Sequence, residues 1–167
     1  VAYYLAFVSC LAGWSEIALH LALLVPALGV AYGTFRLAQE LSAPPALASL
    51  ATILTPGFLV SSSSAMSDTS MLALWVWATL FWIRGMRSNA MASLAVASGL
   101  VLLAALTKYF AVALVGLLAA FSLQERRRVG SWIWFVAIPV VALAGYQWWT
   151  SAHYGHGLLL GAAAYAR

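Results

Sequence analysis

Four acidic side chains, three histidines and a single lysine are the side chains other than arginine that carry a charge near neutral pH or readily take one. Two of them stand where a plain apolar protein would not put them. Asp68 follows a serine run, in "SSSSAMSDTSMLALW", and opens one of the most apolar stretches of the sequence. Aspartate and serine are favoured at helix starts, where they accept from free backbone N–H groups and complement the dipole. The same carboxylate is also oriented to act on a bound substrate or to hold a cation. Lys108 lies in "LTKYF", inside an almost unbroken apolar stretch. It can snorkel from a helix end, or it can face an anion such as a phosphate. Glu16 and His20 are one helical turn apart and share a face, as an interfacial pair or as part of a site. His153 and His156, in "HYGH", fit loop residues better than a metal pair, and no metal site is expected.

The elements that carry these residues follow from composition. Charged residues make up 7% of the chain, against roughly 25% in a soluble domain, so a polytopic all-helical membrane protein is expected. The basic residues fall in short clusters between apolar spans, which is the pattern of topology and not of a nucleic-acid surface. Cys10 stands alone in apolar sequence, which leaves no disulfide. No signal peptide is read at Val1, and residues 1–167 are expected to be one transmembrane stretch of a larger protein.

Val1 to Trp14 is too short to cross a core of about 30 Å and is expected to be an interfacial helix. Crossings are expected over Ile17 to Leu37, Ala46 to Val60, Asp68 to Ile83, two helices within Met91 to Leu123, and Trp132 to Trp149. A single helix from Met91 to Leu123 would run to about 50 Å and bury Lys108. Two helices with the lysine at the turn put Arg36, Arg84, Arg87 and the run Arg126, Arg127, Arg128 on one side, as the cytoplasmic arginine excess requires. The expectation is a bundle of about six spans. Its other face gathers Glu16, Asp68, Lys108, His153 and His156, while Glu40 and Glu125 sit among the arginines. "GVAYG" is expected to serve close helix packing.

The order of these features resembles the C-type glycosyltransferase superfamily, in its bacterial members related to protein O-mannosyltransferases and to the lipid A aminoarabinose transferase. "VAYYLAFVSCLAGWSEIALH", "TPGFLVSSSSAMSDTSMLALW", "GLVLLAALTKYFAVALV" and "YQWWTSAHYGHGLLLGAAAYA" carry the likeness, the third most specifically. The resemblance implies transfer of a sugar from a polyprenyl-phosphate carrier to a glycan, lipid or protein acceptor, outside the bacterial cytoplasmic membrane. It implies that Asp68 matches the family's second acidic position, arranging the catalytic site or holding a divalent cation. Lys108 matches the family lysine near the same pocket, and His20 stands where the family usually has arginine. There a permanent cation is replaced by a titratable imidazole. The first acidic residue, which activates the acceptor, is expected before Val1, so residues 1–167 by themselves are expected to lack transfer activity. The competing expectations are a transporter or polysaccharide-export subunit with a charge relay, and a non-catalytic scaffold.

Overall fold

In the computed structural model, residues 2–64, 66–126, 130–155 and 157 are described, and among them every regular element is helical. The helices are α1 (Ala2–Ala12), α2 (Glu16–Glu40), α3 (Pro45–Ile53), α4 (Pro56–Ser63), α5 (Ser67–Ser88), α6 (Met91–Thr107), α7 (Ala113–Arg126) and α8 (Trp132–Tyr154). A 3-10 turn, Tyr109–Val112, leads into α7. The chain divides into two compact units, Val1–Leu80 and Phe81–Arg167.

In the first unit, Ser15 caps α2 by accepting from Ala18 N–H at 3.2 Å, and Glu16 complements the dipole of the first turn. The helix is inside-out by the standards of a soluble protein. Ile17, Leu21, Leu24, Leu28 and Tyr32, spaced three or four apart, are exposed, while Ala22, Ala27, Val30, Gly33 and Ala38 are buried together with one large side chain, Leu23. Large side chains outward and small ones inward suit a helix that meets lipid on one face and neighbouring helices on the other. At its end Ser42 takes a left-handed φ of 56° and Ala43 N–H reaches Ala38 O at 2.9 Å. The chain thereby turns back, and Ser49 Oγ of α3 donates to Ala31 O of α2 at 2.9 Å.

The expected span Ala46 to Val60 is instead two helices, α3 and α4, bent by 63°. Pro56 has no N–H for an intrahelical bond, and its ring pushes the preceding residue out of the helical region. Thr55 accordingly sits at φ −65°, ψ 128°. Its hydroxyl bonds back to the carbonyls of Thr52 and Ala51, satisfying the end of α3. The serine run forms the tail of α4, where Ser63 Oγ and Ser64 Oγ donate to Val60 O at 3.1 and 2.9 Å.

In the second unit, α6 and α7 form a hairpin broken at Lys108, where the sequence has neither glycine nor proline. Neither is needed: Lys108 adopts φ −152°, ψ 126°, ordinary extended backbone open to any residue. Its N–H still bonds Ala104 O at 2.9 Å, and its carbonyl accepts from Ala111 N–H at 3.0 Å to start the 3-10 turn. Buried hydroxyls tie the helices together. Trp82 Nε1 donates to Ser122 Oγ at 2.8 Å, Ser122 Oγ donates to Leu118 O, and Ser98 Oγ donates to Phe135 O at 2.6 Å. α8 runs on past the expected Trp149 to Tyr154, closed by Gly155 in the left-handed region at φ 73°.

Among the described residues, three segments are long and apolar enough to cross a membrane, Glu16–Glu40, Tyr109–Arg126 and Trp132–Tyr154, or four if the bent pair is one span. Six were expected. The difference lies in that bend, in α6, whose 17 residues reach about 26 Å, and in α5. At 22 residues α5 is long enough to cross, but it carries Asp68, Arg84 and Arg87 among its apolar side chains.

Candidate functional site

The first polar group is built around the start of α2. Gly13, at φ 76°, lets the chain turn sharply after α1. The Tyr4 hydroxyl donates to Ala22 O at 2.8 Å and ties α1 to α2. Leu5, Trp14, Glu16, Leu19, His20 and Leu23 line a cleft of about 360 Å³ between these two helices. It has two polar side chains and four apolar ones, the balance that suits an amphipathic ligand. His20 Nδ1 lies 2.9 Å from Glu16 O. A carbonyl only accepts, so Nδ1 is the donor, and in the neutral ring Nε2 is the proton acceptor.

Asp68 lies in the first turn of α5 and is half-buried. α5 runs parallel to α2. A side chain added at Gly29 would face Ala73, and one added at Gly33 would face Val76 and Trp77. Trp77 Nε1 donates to Gly29 O at 3.0 Å. "GVAYG" is therefore the surface on which α5 rests, as the sequence suggested. The parallel alignment places the Asp68 turn toward the end of α2 that carries Glu16 and His20. Beside Asp68, Thr69 is only 4% exposed, and its Oγ1 has no hydrogen-bond partner among the described residues. A buried hydroxyl left unpaired costs about 1–3 kcal/mol, so this turn holds a donor and acceptor that the fold itself does not use. Sequence reasoning passed over Thr69; its position next to a first-turn carboxylate was the available signal.

In the second unit the geometry separates two ends. Arg126, at the end of α7, donates from Nη2 to Met86 O at 2.6 Å and to Asn89 Oδ1, both at the end of α5. This contact requires α7 to return along α6, so Lys108 lies at the opposite end of the hairpin from Arg126. α8 starts beside Arg126, with Ser131 and Trp132 lining the same cleft, and its 23 residues carry His153 to the far end as well. Lys108 is half-buried and already engaged by other groups. His153 is helical, a correction to the expected loop position. Its Nδ1 donates to Trp149 O at 3.0 Å and its ring stacks on Trp149, with centroids 4.7 Å apart. His156, Arg127 and Arg128 lie outside the described residues.

Among the described residues no three His, Cys, Asp or Glu side chains are grouped to hold a metal ion. Compared with family models, curated proteins and solved structures, the chain gives no match.

Proposed function

We propose that this chain is part of a membrane glycosyltransferase that moves a sugar from a polyprenyl-phosphate carrier to an extracytoplasmic acceptor. In this reading the bent pair, α5 and α6 also cross, giving six spans in the bacterial cytoplasmic membrane. The observation that carries the proposal is the chain reversal at Lys108. It sends Arg126 back to the end of α5 and leaves the lone lysine at the other end of the hairpin. At about 26 Å, α6 falls only a few ångströms short of a hydrocarbon core of about 30 Å. Lys108 is then within snorkelling reach of water and of a lipid-borne phosphate. A transport relay would place its charge nearer the midplane.

The acceptor attacks the anomeric carbon while the bond from that carbon to the carrier phosphate breaks, its electron pair leaving with the phosphate oxygen. Cationic side chains stabilise the charge that develops there, the role that the resemblance gives Lys108. The resemblance gives Asp68 the role of arranging the acceptor, and within its own unit the Thr69 hydroxyl lies beside it in the first turn of α5. The acceptor's proton passes to the first acidic residue of the resemblance.

The test is a transfer assay in membranes carrying the full-length protein, with a polyprenyl-phosphate sugar and a nucleotide sugar offered separately. Transfer from the lipid-linked donor is expected, and Lys108→Gln is expected to lower kcat about a hundredfold with little change in KM. Equal use of the nucleotide sugar, or wild-type turnover in Lys108→Gln, would sink the proposal. The second reading, a transporter or polysaccharide-export subunit, is favoured by one observation, the 63° break between α3 and α4, since broken helices build transporter sites. Solute movement across vesicles without sugar transfer would establish it instead.

A further inference from the structure

Within the second unit, the end opposite Lys108 has a cleft of its own. Arg126, Asn89 and Ser131 form a polar side; Met91, Leu94 and Trp132 form an apolar side, over a volume of about 260 Å³. From this we infer that the cleft binds the phosphate of an anionic phospholipid, with the glycerol and upper acyl carbons against the apolar side. It lies apart from the sugar-transfer reading and does not depend on it.

Three features favour an anionic lipid, and the second separates it from a free anion. The first is that Arg126 is already fixed, its Nη2 donating to Met86 O at 2.6 Å and to Asn89 Oδ1. A guanidinium held this way loses little further freedom when a phosphate docks on its remaining edge, and the planar fork suits two phosphate oxygens. The second is that half of the lining is apolar, which inorganic phosphate cannot use. Met91 is 51% exposed at the cleft wall. Next to Trp132 on α8, Ile133 and Trp134 are exposed, and tryptophans of this kind sit at the headgroup level. The third is the surrounding charge. Arg84 and Arg87 occupy the last turns of α5, and Arg127 and Arg128 follow Arg126 in sequence. Clustered arginines beside a membrane helix draw anionic lipid.

Gly85 explains why the cleft has this shape. A Cβ there would lie 2.8 Å from Leu94 Cγ and 3.1 Å from the Leu94 backbone nitrogen. The bare glycine lets α6 start close against α5. Asn89, at φ 55°, closes α5 with Ala90 N–H on Gly85 O at 3.1 Å, holding Oδ1 where Arg126 meets it.

The experiment measures lipid retention by native mass spectrometry on the protein taken from bilayers of equal phosphatidylglycerol and phosphatidylcholine. Preferential retention of phosphatidylglycerol is expected. Arg126→Gln removes the charge and should lower that preference about fivefold. Met91→Trp fills the cleft but leaves Arg126 and its two acceptors in place, so the test does not hang on how well Arg126→Gln folds. It should lower the preference by a similar factor. Added inorganic phosphate should leave the retained phosphatidylglycerol unchanged. Undiminished preference in Met91→Trp overturns the inference, and so does displacement of the lipid by inorganic phosphate, which would make this a free-phosphate site.

Discussion

Replacing Asp68 by asparagine is expected to cut sugar transfer about a hundredfold or more while the folded protein stays in place. The substitution separates the two roles that the sequence allows for this residue. Asparagine serves a helix start about as well as aspartate, and losing the charge from a first turn removes only about 0.3–1 kcal/mol. A residue that merely supports the start of α5 would therefore give a protein of nearly normal stability and normal turnover. A carboxylate that orients the acceptor gives normal stability and a collapse in kcat. Thermal unfolding and steady-state kinetics on the same preparation decide between them, and wild-type turnover would leave Asp68 as a structural residue only.

The second large effect is on stability, at the contact that sets the height of Asp68 against α2. Gly33→Leu is expected to destabilise the protein by roughly 1–3 kcal/mol. Even a Cβ at that position would lie 2.9 Å from Val76 Cγ1 and 3.1 Å from Trp77 Nε1. Gly29 belongs to the same motif but has more room, with Ala73 Cβ at 3.7 Å. Gly29→Ala should thus be neutral or stabilising by up to about 1 kcal/mol, the usual helix preference for alanine over glycine. Melting temperatures in detergent check the pair. Equal effects of the two substitutions would contradict the parallel packing of α2 and α5.

Much of this fold was legible because membrane helices announce themselves by length and by where their charges stop. The ends of α2, the reversal at Lys108 and the packing role of "GVAYG" all followed from apolar runs, arginine placement and small-residue spacing. The break at Thr55–Pro56 was missed because Pro26 and Pro139 sit within unbroken helices, so proline alone did not single out the third site. The reach of α8 to Tyr154 was missed because a polar, histidine-bearing segment looks like a loop until Gly155 supplies the left-handed stop. The candidate site was legible as residue types at helix ends. The cleft beside Glu16 and His20 was not, because it depends on how α1 leans on α2 through the Tyr4–Ala22 bond. Nor was the unpaired Thr69 hydroxyl, which only burial reveals.

The proposed sugar transfer at Lys108 requires that this lysine and the arginine end of the same hairpin lie on opposite faces of the membrane. With Cys10 replaced by serine, single cysteines at Lys108 and at Ser88 can be probed in intact cells with a membrane-impermeant maleimide. Lys108→Cys is expected to be labelled from outside, and Ser88→Cys only after the membrane is opened. Labelling of both positions from the same side would refute this topology.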